Sequence, residues 1–253
     1  MLDTIRLKYI QGSQYIKDIK NAPMRSQFRG FPVIDSNAAL PDASCCPSGA
    51  LYSNSEISAG ETKQKLSIDL GKCTLCGNCS CGAVKFSNRY KLGADSREKL
   101  IITEDITADE YEKQAIKARK EISKIFSKSL KLRQVSAGGC GGCEMELNAC
   151  SNANFDMGRF GIEFTASPRH ADGIVITGPV TKNMAFALED CFNSVPEPKI
   201  IILAGACSIS GGVFYKSKEL DRSFLDEHPA DLYIPGCPVH PLTFINALLS
   251  YIS

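Results

Sequence analysis

Residues 130–143 run Leu130-Lys131-Leu132-Arg133-Gln134-Val135-Ser136-Ala137-Gly138-Gly139-Cys140-Gly141-Gly142-Cys143. A β-rich run gives way to small residues, and the small residues end on a C-x-x-C pair. The same order returns twice. Lys199–Ala204 leads through Gly205-Ala206 into Cys207, and Asp231–Ile234 leads through Pro235-Gly236 into Cys237. Further β-rich runs stand at Ile162–Thr165 and Gly173–Thr177. Helical stretches fit Thr181–Asn193, opened by a threonine, and Pro241–Ile252, opened by a proline in the first turn. Strands alternating with helices predict a mostly parallel, helix-flanked sheet. In such sheets sites form outside the carboxyl ends of the strands, so three strands deliver four thiols to one edge. The neighbouring glycines let backbone come close to the sulfurs and aim N–H groups at them.

A second set of thiols lies upstream: Cys46-Pro47, then Cys73-x-x-Cys76-x-x-Cys79. In two-cluster bacterial ferredoxins each C-x-x-C-x-x-C-x-x-x-C-P run gives three ligands to one iron–sulfur cluster and its last cysteine to the other. Counting back from Cys46 puts the missing three at Ser36, Ala39 and Asp42, and counting forward from Cys79 puts the missing fourth at Ala83. One cluster's ligands are therefore all gone, while the other's, Cys46, Cys73, Cys76 and Cys79, all remain. Cys81 competes with Cys79 for this set, and Cys45 competes with Cys46. For the downstream set, Cys140, Cys143, Cys207 and Cys237, the competing reading is a structural zinc. Zinc sites usually take two C-x-x-C knuckles, whereas two of these ligands arrive singly. Cys150 and Cys191 have no partners at ligand spacing and read as ordinary thiols.

Composition narrows the class. The chain has 253 residues, 43% hydrophobic and 23% charged, with a formal net charge of +1. Those values suit a globular protein and give no reason to expect nucleic acid as a partner. No apolar run is long enough to span a bilayer, and the start, MLDTIRLKYIQGSQ, lacks the order of a signal peptide. A cytoplasmic chain is expected. Eight of the twelve cysteines stand at ligand spacing, which fits metal binding better than a disulfide scaffold. Short β-type pieces at Phe31–Asp35, Lys65–Ile68 and Val84–Phe86 surround the first set. Thr107 and Glu110 have capping-box spacing, and Tyr111, Ala115, Ala118, Ile122 and Ile125 recur at helical steps.

Several segments carry a resemblance. They are Gly138-Gly139-Cys140-Gly141-Gly142-Cys143-Glu144-Met145-Glu146, Arg159-Phe160-Gly161-Ile162, Ser167-Pro168-Arg169-His170-Ala171-Asp172, Gly205-Ala206-Cys207 with Ser210-Gly211-Gly212-Val213-Phe214, and Tyr233-Ile234-Pro235-Gly236-Cys237-Pro238. In order, over residues 130 to 253, they resemble the small subunit of membrane-bound group 4 [NiFe] hydrogenases, formate hydrogenlyase type. The cluster-bearing small subunit of complex I is related, but usually begins its ligands with two adjacent cysteines, where this chain has C-x-x-C. Residues 28–86 resemble the single-cluster ferredoxin-type module of such assemblies, through Phe28-Arg29-Gly30, Cys46-Pro47-Ser48-Gly49-Ala50 and Asp69-Leu70-Gly71-Lys72-Cys73.

The resemblance implies an oxidoreductase subunit that passes electrons between a ferredoxin-type cluster and a proximal cluster beside a [NiFe] large subunit. The alternative is the equivalent subunit of a nickel-free, complex I-like quinone or ferredoxin oxidoreductase. The implied cofactors are two [4Fe–4S] clusters, on the eight cysteines named above. No catalytic residue is expected here, because no further cysteines form the two C-x-x-C pairs a [NiFe] centre needs. Glu144 and Glu146 are candidates for a proton path, set against carboxylates satisfied by backbone N–H groups or by arginine at the subunit interface. Arg169 and His170 are candidates for tuning the cluster or meeting a partner, and His240 is given no role. Further electron-transfer and membrane subunits are implied, with the chain at the inner face of the membrane. The expected fold class is α/β, a flavodoxin-like parallel sheet flanked by helices plus a small α+β ferredoxin-like module. The expected parts are a module with an N-terminal arm at 1–100, a linker helix at 101–129, and an α/β domain at 130–253.

Overall fold

The computed structural model describes residues 2–12, 15–35, 43–58, 61–79, 82–117, 124–126 and 129–252. Its main sheet has five strands: β6 (Leu130–Ser136), β7 (Ile162–Phe164), β8 (Gly173–Thr177), β9 (Ile200–Ala204) and β10 (Leu232–Ile234). All pair in parallel, in the order β10-β9-β8-β6-β7. Taken in chain order from β6, that is the flavodoxin-like 2-1-3-4-5 arrangement, which reverses between β6 and β8. β8 and β9 are buried at every position. Their sequences, GIVIT and IIILA, are the near-continuous apolar runs that a sheet covered on both faces demands.

Helices cover both faces. The helix Lys182–Asn193 begins one residue after Thr181, as expected, although the threonine side chain makes no capping bond. The helix Pro241–Ile252 runs as expected and is buried nearly all round, with Leu242, Phe244, Ile245, Leu248 and Tyr251 in the core. Its outer side is covered by the chain's own N-terminal segment. Ile19 and Ala22 belong to the same apolar cluster, and Asn246 Nδ2 donates to the carbonyl of Ile19 at 2.8 Å. Arg159 Nη2 holds the carbonyl of Ile16 at 2.6 Å.

The smaller, cysteine-rich half is antiparallel. β1 (Pro32–Ile34) pairs with β4 (Val84–Phe86), and β2 (Leu51–Ser58), β3 (Glu61–Asp69) and β5 (Ile101–Thr103) form a three-stranded sheet. The expected pieces at Phe31–Asp35, Lys65–Ile68 and Val84–Phe86 fall on β1, β3 and β4.

The linker helix expected over 101–129 is corrected. Residues 101–103 are β5, and the helical residues described in that range are Ala108–Gln114 and 124–126. The capping box is present, with Glu110 N–H donating to Thr107 Oγ1 at 3.3 Å and Thr107 N–H donating to Glu110 Oε2 at 3.0 Å. Tyr111 and Ala115 are buried. Asp95 then draws the chain away, since its N–H donates to Ala115 O and its Oδ2 accepts from Lys117 N–H at 2.8 Å. Ala118 and Ile122 lie outside the described residues, and Ile125 is 53% exposed rather than on a buried face.

The two halves share one core. Phe31, Leu70, Leu92, Leu100, Ile102 and Tyr111 pack in a single cluster with Val135, Ile174, Ile176, Leu203, Ile209 and Phe224. Ala94 and Tyr233 exchange backbone hydrogen bonds of 2.9 and 2.8 Å at the outer edge of β10.

Candidate metal centres

The register places the downstream cysteines. Ser136 is level with Thr177, and Ala204 with Ile234, so the cysteine-bearing loops leave the sheet from one edge. Cys143 lies in the first turn of the helix Gly142–Ala149, and Cys207 in that of Ala206–Ser210. The Cys207 and Cys237 loops are tied together, with Gly205 N–H donating to Ile234 O and Ala206 N–H donating to Gly236 O, both at 2.8 Å. Cys140 and Cys237 are exposed; Cys143 and Cys207 are half-buried.

These four thiols lie within one another's electric field. Burial, then Glu144, Cys207 and Cys237, push Cys143 up to about 12, against a backbone N–H from Val239. Burial, then Cys237, Cys140 and Glu144, push Cys207 up to about 11. Cys237 is raised by burial, by Cys140 and by Cys76 of the other set. A bound metal group favours the thiolate form of the cysteines that hold it. The backbone comes close to the sulfurs. A β-carbon on Gly205, whose φ is +99°, would stand 2.6 Å from Cys143 Sγ, and one on Gly212 would stand 2.8 Å from Cys207 Sγ. Among the described residues no three or more His, Cys, Asp or Glu close around a single metal ion. A zinc needs its sulfurs about 4 Å apart, given bonds of about 2.3 Å, whereas a cubane binds each thiolate through a different iron and spreads them wider. Four thiols delivered to one sheet edge by separate loops are the donor chemistry that an iron–sulfur cubane takes.

The upstream set is assembled by the small sheets. Cys46 Sγ accepts from Ala50 N–H at 3.2 Å and lies 3.7 Å from Ser48 Oγ. Burial works to raise its pKa, but the N–H groups of Leu51, Ala50 and Ser48 and the Ser48 hydroxyl bring it below the ordinary thiol value. Cys73 Sγ accepts from Leu75 N–H at 3.4 Å. Burial, then Cys79, Cys46 and Cys76, push Cys73 up to about 12; burial, then Cys46, Cys45 and Cys76, push Cys79 up to about 11. Cys45 thus also lies beside Cys79, whereas Cys81 falls outside the described residues. Ala83, where a two-cluster ferredoxin would keep another cysteine, is a buried core residue. Ser36, Ala39 and Asp42 lie outside the described residues.

The loop carrying Cys73 and Cys76 is anchored at both ends. Buried Asp69 accepts from Gly71 N–H at 2.9 Å and from Arg97 Nη2 at 2.5 Å. Arg29 Nε donates to Leu75 O at 2.5 Å. The two cysteine sets then meet: Cys76 and Cys237 line one cleft of about 460 Å³, with Arg29, Leu75 and Pro238.

The other expected residues divide. Glu144 lies beside Cys143 and Cys207, and its Oε1 accepts from Ser136 Oγ at 2.6 Å and Thr177 Oγ1 at 2.7 Å. Burial opposes its charge, yet these hydroxyls and its own N–H leave its pKa below the usual glutamate value. Its partners are thus two hydroxyls from the ends of β6 and β8, with no arginine among the described residues. Glu146 is half-buried and raised by burial. Arg169 and His170 are not brought to the cysteines. Both are exposed, on a turn whose continuation, Asp172, bonds Lys131 in the amino-terminal half of β6, while Cys140 and Cys143 follow the carboxyl end of that strand. Cys150 is a buried thiol pushed up to about 12 by burial and Glu146. Cys191 is half-buried. His240 is half-buried with its ring edge-on to Phe28 and Phe155.

The profile of the family described as "NADH ubiquinone oxidoreductase, 20 Kd subunit" matches residues 140–251, the span that holds the downstream cysteines. Over 129 residues the chain is 34% identical to "Probable membrane-bound hydrogenase subunit mbhJ" of Pyrococcus furiosus, covering 51% of this chain and 77% of that one. The chain belongs to this family. Formate hydrogenlyase subunit 7 of Escherichia coli is 42% identical over 118 residues, 47% of this chain and 46% of its own length. An NADH-quinone oxidoreductase subunit of a Roseiflexus species is 43% identical over 109 residues, 43% of this chain and 41% of its own. Family members are iron–sulfur subunits of oxidoreductase complexes. No helix among the described residues is long and apolar enough to cross a membrane.

Proposed function

We propose that this chain is the electron-transfer subunit of a multi-subunit, hydrogenase-type assembly and holds two [4Fe–4S] clusters. One would sit on Cys46, Cys73, Cys76 and Cys79 of a ferredoxin-like unit in residues 1–100. The other would sit on Cys140, Cys143, Cys207 and Cys237 of the α/β unit in residues 130–253. The observation that carries this reading is the shared cleft of Cys76 and Cys237, which sets the two thiol sets side by side. Each cluster, when bound, supplies one-electron redox chemistry. The chain's own contribution is spacing and environment. Backbone N–H groups from Ala50, Leu75 and Val239 stabilise thiolate charge at Cys46, Cys73 and Cys143.

Bond-making chemistry is assigned to a partner large subunit. Met145 is 74% exposed two residues beyond Cys143, and Val213 and Phe214 are exposed close after Cys207. Apolar side chains at that edge suit a protein partner laid over the downstream set. The assembly would sit on a membrane, as the name of the Pyrococcus relative says of its own complex. A nickel-free, complex I-like complex is the second reading, favoured by the family description and by the Roseiflexus relative. Nickel analysis of the co-purified complex separates the two.

The test is metal and sulfide content of the full chain, purified without oxygen, with electron paramagnetic resonance of the reduced protein. About eight iron and two reducible signals are expected; about four iron would remove the two-cluster part.

A further inference from the structure

Arg222 belongs to none of the cysteine motifs, yet it holds the loop that carries one of the thiols. Its Nη1 donates to Pro179 O at 3.1 Å and Cys207 O at 3.3 Å, and its Nη2 donates to Ser208 O at 2.7 Å and Ile209 O at 3.1 Å. The first carbonyl lies beyond the end of β8, and the other three lie on the short helix that begins beside Gly205. A helix of five residues leaves carbonyls at its end without partners inside it; one guanidinium serves those of Ser208 and Ile209 and adds a second donor to Cys207 O, which already accepts from Gly211 N–H at 2.8 Å.

The charge of Arg222 is not cancelled where it sits. Carbonyls are neutral, and no carboxylate forms an ion pair with Arg222 among the described residues. Asp226, exposed on the following turn, is the largest charge acting on Arg222 but makes no ion pair with it. Nearby Arg97, by contrast, is matched by Asp69 at 2.5 Å. Cys207 lies within the field of Arg222. A fixed cation held beside thiolate ligands favours the more negative, reduced state and so raises the reduction potential.

We propose that Arg222 is the fixed cation of the Cys140–Cys143–Cys207–Cys237 site, a positioning residue that joins the Cys207 and Pro179 loops and sets the potential of the group bound there. This rests on the two-cluster reading. It does not make Arg222 a ligand or a proton carrier.

The experiment is a redox titration of the full chain, purified without oxygen and followed by electron paramagnetic resonance, on four proteins: unchanged, Arg222→Gln, Arg222→Lys and Asp226→Asn. Arg222→Gln should lower the reduction equilibrium of one of the two signals about tenfold, equivalent to about 59 mV for a one-electron couple. Arg222→Lys should restore most of that shift. Asp226→Asn, a change at an exposed position, should move the same signal the opposite way. Equal shifts in the Gln and Lys variants, or unmoved potentials in both Arg222→Gln and Asp226→Asn, overturn the proposal. So does iron loss in Arg222→Gln with Asp226→Asn titrating like the unchanged chain, because that is the behaviour of a brace alone. If the unchanged chain shows only one signal and half the iron, the two-cluster reading fails first and takes the proposal with it.

Discussion

Gly205 stands against Cys143 so closely that a β-carbon on the glycine would lie 2.6 Å from the cysteine sulfur. The glycine is the hinge between β9 and the helix of Cys207, so its lack of a side chain serves two thiols at once. Its φ of +99° adds a second reason, because L side chains rarely take that conformation. Gly205→Ala should therefore remove the downstream cluster and leave the upstream one. Iron content should fall from about eight to about four per chain, with one resonance signal retained.

The upstream loop depends on a buried carboxylate. Asp69 is matched by Arg97, and Lys72 stands further off at 4.0 Å. Removing Arg97 leaves a buried charge short of its partner, a change that costs about 3–5 kcal/mol at fully buried pairs and less here, where Arg97 is partly exposed. Arg97→Ala should lower the midpoint of thermal unfolding by several degrees and weaken the upstream cluster's signal before the downstream one. Equal loss of both signals would contradict this.

Tyr111 is buried, and its hydroxyl donates to the carbonyl of Leu92 at 2.8 Å. Tyr111→Phe keeps the ring but leaves that acceptor unsatisfied, at a cost of about 1–3 kcal/mol. Denaturant unfolding should show the loss as a lower midpoint with an unchanged slope. Cluster content should stay the same.

Cys150 gives a pH test away from the ligand sets. Burial, then Glu146, push its thiol up to about 12, whereas an unfolded cysteine ionises near about 8.5. A group whose folded pKa is raised contributes stability that is complete below the unfolded value and lost as pH rises towards the folded one. Between about pH 8.5 and 12 the native chain keeps a proton that the unfolded chain releases, so stability falls. Cys150→Ala should flatten that fall while costing some packing at neutral pH. In the unchanged native protein, iodoacetamide at pH 8 should leave Cys150 unmodified by mass spectrometry.

The sheet was readable because its chemistry is local. The apolar runs of β8 and β9, the glycines after each strand and the proline opening the last helix all act within a few residues. The single-file order of Cys140, Cys143, Cys207 and Cys237 along strand ends was legible for the same reason. Contacts between distant segments were not. Nothing in Asp95 announces that it ends the helix after Gln114, because its partners are Ala115 and Lys117. Ser136 and Thr177 meet Glu144 only through the pairing of β6 with β8. Of the two roles expected for Arg169 and His170 from their motif, cluster tuning or meeting a partner, the hydrogen bonds of Lys131 with Asp172 put them away from the sulfurs. Arg222 had no periodicity or spacing to mark it.

The backbone exchange between Ala94 and Tyr233, together with Ile19 seated beneath the last helix, sews the small half onto the large one. On the two-cluster reading, the gap between Cys76 and Cys237 would thus be a tunnelling distance set by packing and not the average of a swinging tether. Electron hopping across it should be indifferent to solvent viscosity, and a cut between the halves would disable the relay by exposing greasy surface rather than by lengthening a wire.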